Sequence, residues 1–195
     1  MRRMGRITRA RAPLAAATIG LLLIGLAACG SGAGGGDASK APDYQRALAG
    51  APKPLAALYG QANQLLPGGT SAFEQRLADL NGHPVVVNKW ASWCGPCRVE
   101  FPWFQDLSAK LGKRVAFVGV DSNDSSAAAK TFLGEYPVPY PSYADPGSDI
   151  ARVIKATVGF PGTAFYDSSG KLAFVRQGQY PNEAALASDI KRYAN

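Results

Sequence analysis

The chain has 195 residues, 47% of them apolar and 18% charged, with three Cys and one His; at roughly 150 residues per domain that is one globular domain plus a further segment. The apolar fraction excludes wholesale disorder, and so few Cys and His exclude a disulfide scaffold and a His-rich metal site. The formal charge of +7 is concentrated at one end: Arg2, Arg3, Arg6, Arg9 and Arg11 precede any acid, and without residues 1–28 there remain 16 basic against 14 acidic residues, so no basic face argues for a nucleic-acid partner.

The arginine-rich start is followed by Leu14–Ala28, an uncharged apolar stretch of 15 residues. That is shorter than the roughly 20 residues that span a bilayer, and it fits the apolar region of a signal peptide at residues 1–28. The stretch ends in Leu26-Ala27-Ala28-Cys29 and continues Gly30-Ser31-Gly32. This resembles the lipobox of bacterial lipoproteins. The resemblance implies cleavage before Cys29, acylation of its sulfur, and a protein lipid-anchored in the bilayer at the extracytoplasmic face of the bacterial cell membrane. An uncleaved signal anchor with an incidental Cys29 is the alternative, and it too places residues 30–195 outside the cytoplasm.

Gly30–Pro42 is rich in Gly, Ser and Ala without periodicity, so residues 29–54 read as a flexible tether before a domain at 55–195. Leu55, Leu58, Tyr59, Ala62, Leu65 and Leu66 recur at helical spacing until Gly68-Gly69. Ser71-Ala72-Phe73-Glu74 has the spacing of a capping box opening a second helix with Phe73, Leu77 and Leu80 on one face. Pro84–Ala91 is a β-branched run suited to a buried central strand. The chain continues with a helix over Cys94–Leu111 interrupted by Pro102, a strand at Val115–Asp121 and a helix at Ser125–Tyr136. A connection with Pro137, Pro139 and Pro141 and a short helix around Asp149–Lys155 follow. Thr163–Asp167 and Leu172–Gln177 read as a hairpin across Ser168-Ser169-Gly170, and Asn182–Tyr193 as a closing amphipathic helix. This order predicts an α/β fold in which a mixed sheet is covered by helices on both faces.

Trp93-Cys94-Gly95-Pro96-Cys97 falls where a strand hands over to a helix. Two thiols in a first helical turn lie close enough to bridge. Cys94 at the N-cap would have its thiolate stabilised by free N–H groups and the helix dipole, which makes it the candidate nucleophile. Cys97, one turn inside, suits resolution of a mixed disulfide. A purely stabilising disulfide is a weak alternative, since so short a ring removes little chain entropy. A zinc half-site is another, but only His83 remains as a further ligand, so no metal is assigned.

Residues Val86–Glu100 (VVNKWASWCGPCRVE), then Pro102, and further on Phe160-Pro161-Gly162-Thr163, resemble the TlpA/ResA family of membrane-tethered, thioredoxin-like oxidoreductases over about 120 of the 195 residues. The resemblance implies a thioredoxin fold, here with an N-terminal helical extension, and no cofactor. It implies a cis Pro161 beside the cysteine pair, with Phe160 offering backbone groups to an extended substrate and Trp93 beside them. It implies that Glu100, one turn after Cys97, assists proton movement. A solvated helix charge is the plain alternative for Glu100. Asn88 occupies the position of a buried Asp in cytoplasmic thioredoxins, and an amide cannot take up a proton. Lys89 departs from the family, which has an apolar residue there; it must either snorkel to the surface or pair with an acid such as Glu100 or Asp121. Trp90, the tyrosines of 136–143 and His83 read as packing or structural residues.

The function implied is reduction of disulfides in exported proteins such as apocytochrome c, by a monomer fed with electrons by a membrane-embedded thiol transporter. An oxidase of the same fold that introduces disulfides is the first alternative. A copper-handling lipoprotein using the two thiolates is weaker, with His83 alone to complete the site.

Overall fold

The computed structural model describes residues 41–195. The predicted signal peptide, Cys29 and the first part of the tether lie outside the described residues. Asp43 caps α1 (Tyr44–Leu48) by accepting the Arg46 N–H, and α2 (Lys53–Tyr59) buries Leu55 and Leu58. Residues 43–54, which composition assigns to the tether, are therefore built into the domain. The Tyr44 hydroxyl donates to the Pro137 carbonyl at 3.0 Å and fastens α1 to the body.

Helical spacing across Leu55–Leu66 predicts one helix, but α2 stops at Gly60 and Leu65–Leu66 form a short strand, β1. Asn63 explains the break. Its backbone is left-handed at φ 59, and its side chain donates to Leu133 O and accepts from Val138 N. Those long-range bonds leave no trace in local periodicity. The next helix, α3 (Gly69–Asp79), starts two residues before the predicted Ser71 cap; its N-cap is Gly68 at φ 105. Glycine is required there, because a Cβ would fall 2.6 Å from that of Ala72.

β2 (Val85–Trp90), α4 (Gly95–Leu111), β3 (Ala116–Ser122), α5 (Ser126–Glu135) and β4 (Ser142–Asp145) form two successive parallel crossovers. Strand β4 lies in what reads as a proline-rich connection. Pro102 lies inside α4 without ending it, so the predicted interruption is a continuous helix. A short α6 (Asp149–Val153) leads to the antiparallel pair β5 (Gly162–Tyr166) and β6 (Leu172–Gln177), and α7 (Glu183–Tyr193) closes the chain. The six-stranded mixed sheet runs β1-β4-β3-β2-β5-β6, with β2 and β3 fully buried at its centre.

Because successive residues of a strand face opposite sides, β2 feeds two cores. Val86 and Trp90 pack with α4, α5 and α7, whereas Val85 and Val87 pack with α2, α3 and α6. Trp90 is the hub of the first, its ring 4.9 Å from Phe132 and 5.3 Å from Phe101. Such pairs add about 0.5–1.5 kcal/mol each beyond the area they bury. The Trp90 indole donates to Ser142 Oγ across Gly119, where a Cβ would fall 2.0 Å from that same oxygen. The predicted α/β sheet sandwiched between helices is present in full.

Candidate active site

β2 ends at Trp90, α4 begins at Gly95, and the bend between them is held from both sides. The Ser92 N–H donates to Asp124 Oδ2 at 2.5 Å, and the Ser92 carbonyl accepts from Arg98 at 2.9 Å. The Arg98 guanidinium in turn lies over the Phe132 ring at 4.9 Å and pairs with Glu135 at 3.2 Å. This clamp delivers Cys94 to the N-cap of α4 in an extended conformation. Cys94 Sγ accepts the Cys97 N–H at 3.1 Å, and the two sulfurs are joined in a disulfide with their Cα atoms 5.3 Å apart. Both cysteines are buried, at 3% and 1% exposure, while Trp93 beside them is 56% exposed.

The Phe160–Pro161 bond is cis, and this loop lies against the cysteine motif. The Phe160 ring meets the Trp93 ring edge-on with centroids 4.8 Å apart, and the Trp93 indole donates to Asn123 O at 3.0 Å. All the predicted site residues in the described chain are thus gathered at one end of the sheet: Trp93 exposed and Phe160 half-buried at its rim, and Cys94, Cys97, Pro161 and Glu100 buried behind them. Cys29 lies outside the described residues.

Glu100 is 1% exposed, so it is not the solvated helix charge of the plain reading. Oε1 accepts the Tyr180 N–H, and Oε2 has no hydrogen-bond partner among the described residues. Burial pushes its carboxyl up to about 7, against smaller lowering effects of the Tyr180 N–H and the Arg176 charge. Glu100 and Cys97 share a helix face, three residues apart. A carboxyl titrating at neutral pH is thereby placed one turn below the inner sulfur.

Lys89 neither snorkels nor pairs with Glu100 or Asp121. It is 3% exposed, and its ammonium donates to the carbonyls of Ala156 and Gly159, both at 2.7 Å. Asn88 is buried as expected, with Oδ1 unpartnered among the described residues.

Two acids lie beneath this end of the molecule: Asp124, which no sequence motif marks, and Asp121, which sequence suggests only as a partner for Lys89. Burial alone would raise the Asp124 carboxyl, but the hydrogen bonds it accepts from Ser92 and from the Ser125 N–H together outweigh that and hold it below the usual range. Asp121 is buried against it, and burial together with the charges of Asp124 and Asp145 pushes its carboxyl up to about 8. Asp121 is thereby biased toward its neutral form, and its Oδ1 has no hydrogen-bond partner among the described residues. The pair is three residues apart in sequence, but only the end of β3 and the start of α5 bring it beneath the cysteine loop. Among the described residues, no group of three or more His, Cys, Asp or Glu is arranged to hold a metal ion.

Comparison with known proteins agrees with this geometry. The Redoxin family profile matches residues 38–192. The thiol-disulfide oxidoreductase ResA of Oceanobacillus iheyensis is 32% identical over 105 residues, covering 53% of this chain and 54% of that one. The thiol:disulfide interchange protein DsbE of Pseudomonas fluorescens is 37% identical over 94 residues, covering 48% of this chain and 51% of that one. This chain thus spans about half the length of these curated relatives. A crystal structure of a putative thiol:disulfide interchange protein DsbE from Chlorobium tepidum superposes with a TM-score of 0.56 at 31% identity, covering 61% of this chain and 85% of that one. By profile, motif and fold together, the chain belongs to the Redoxin family, as a TlpA/ResA-type thioredoxin-like protein.

Proposed function

We propose that the protein is a thiol–disulfide oxidoreductase that reduces disulfides in exported proteins, apocytochrome c among them, from the outer face of the cell membrane. The observation that carries this reading is Cys94 at the α4 N-cap, its sulfur on the Cys97 N–H and the Phe160–Pro161 loop beside it. In the reduced protein the same N–H and the helix dipole favour a thiolate at Cys94 over a thiol. That thiolate attacks one sulfur of the substrate disulfide and forms a mixed disulfide, and the substrate's other sulfur leaves as a thiolate. Cys97, losing its proton to Glu100, then attacks Cys94 Sγ. The internal disulfide closes, the second substrate thiolate is released, and two electrons have passed to the substrate. A membrane-embedded thiol transporter would restore the dithiol, and the lipobox-like Cys29 would keep the protein within its reach.

The test is the reduction potential of the Cys94–Cys97 couple in the full chain, equilibrated with glutathione or dithiothreitol and read by thiol alkylation. A value near about −250 mV or lower is expected of a reductant of the thioredoxin type. A value near about −120 mV would reverse the direction and make the protein an oxidant.

A further inference from the structure

The side chain of Lys89, the single charged residue of β2, is committed to the backbone of the loop that carries Phe160 and Pro161. Its ammonium donates to Ala156 O and Gly159 O, each at 2.7 Å, and lies 4.0 Å from the centroid of the Phe160 ring. Along the strand, Lys89 is registered with Gly162, the residue that follows Pro161. The loop is therefore anchored twice on one residue, through the β2–β5 pairing at its end and through the ammonium at its middle.

Among the described residues no carboxylate forms an ion pair with that ammonium; burial lowers its pKa, and the charge of Asp145 opposes this from beyond pairing distance. The Asp145 carboxylate on the same side of the sheet is engaged by the Ser122 hydroxyl and by the N–H groups of Ile150 and Ala151. The loop also needs an outside donor. It leaves α6 through Lys155 at φ 57 and turns again at Gly159 at φ 64, so its carbonyls cannot join a regular ladder. A buried lysine is costly unless its hydrogens are used, and here two of the three are used on this loop. The ring face that Phe160 turns to the ammonium leaves its other contact to Trp93, at 4.8 Å beside Cys94.

We propose that Lys89 is a positioning residue. From beneath, it fixes the Phe160–Pro161 loop relative to Cys94, so that an extended segment of a protein substrate can dock across the two. This rests on the oxidoreductase reading above. It predicts a selective defect: large substrates, which need the loop, should suffer, and small disulfides, which need only the sulfur, should not.

The experiment compares the full chain in detergent with Lys89→Met, which keeps the length and removes the donors, and Lys89→Arg, which keeps donors and charge. With dithiothreitol as electron donor and insulin as the protein disulfide, Lys89→Met should raise KM about tenfold and leave kcat within twofold. Its reaction with 5,5′-dithiobis(2-nitrobenzoate) and its reduction potential should match the parent. Lys89→Arg should recover part of the KM, and hydrogen exchange at residues 156–162 should be faster in Lys89→Met alone. Should Lys89→Met not fold, Lys89→Gln, whose shorter amide cannot span both carbonyls, carries the same comparison. An unchanged KM for insulin, or an equal loss on both substrates with a shifted potential, overturns the role of Lys89. A parent chain that reacts with the small disulfide but never with insulin overturns the oxidoreductase reading itself, and the inference with it.

Discussion

At the scale of single residues, the proposed reaction assigns separate roles to the two cysteines and to Glu100 beneath them. Replacing Cys94 with Ser should abolish disulfide exchange. Replacing Cys97 with Ser should leave a nucleophile that cannot resolve, so mixed disulfides with substrate accumulate and can be counted by non-reducing mass spectrometry. Glu100→Gln keeps an acceptor for the Tyr180 N–H but cannot titrate. If Glu100 takes the Cys97 proton, the parent rate rises with pH through about 7, and the variant loses that limb and slows by about 100-fold. Stopped-flow resolution rates from pH 5 to 9 check this. The same shift has a consequence for stability. The unfolded carboxyl ionises near 4.5 and the folded one only near 7, so the unfolded chain sheds its proton first and folding weakens as pH rises between the two. Glu100→Gln should therefore match the parent at pH 4 and exceed it at pH 8 by on the order of 3 kcal/mol in urea denaturation. Asp121→Asn follows the same sign over the window from about 4 to about 8.

At the scale of elements, legibility followed how local the cause was. The strand β2, the helix α4 with Cys94 at its cap, and the β5–β6 hairpin are written in short-range signals: a β-branched run, a Gly-Pro first turn, a Ser-Gly turn. The strands β1 and β4 are not, because each is short and is defined by its partner; Leu65 pairs with Ser142 and Gly119 also opposes Ser142. Asn63 is the hinge of that region. Asn63→Ala removes the donor to Leu133 O and the acceptor for Val138 N, and it leaves an alanine at φ 59. A loss of about 2–4 kcal/mol is expected, since two part-buried backbone groups lose their partners and the left-handed conformation adds its own cost. Thermal denaturation checks it, and Asn63→Asp, which keeps the acceptor and tolerates that backbone, should lose less.

At the scale of the whole molecule, the candidate site occupies one end of the sheet, and the segment ahead of the domain bears on the proposed location. If Cys29 is the lipid anchor, Cys29→Ala should move the protein from the membrane to the soluble fraction without changing the potential of the Cys94–Cys97 couple. Fractionation together with alkylation measures both. The amino-acid sequence by itself determined the fold class, the bridged cysteine pair and the cis-proline loop, because a CxxC at a strand-to-helix junction and a Phe-Pro-Gly-Thr segment are contiguous signals. Tertiary structure alone decided the rest. The ammonium of Lys89 rests on carbonyls some 70 positions away, the carboxyl of Glu100 faces a backbone N–H 80 positions away, and Asp121 meets Asp124 under the loop that Ser92 begins. Partners of that kind are selected by burial, where an unpaired charge is too costly to leave, and burial is a property of the packed chain.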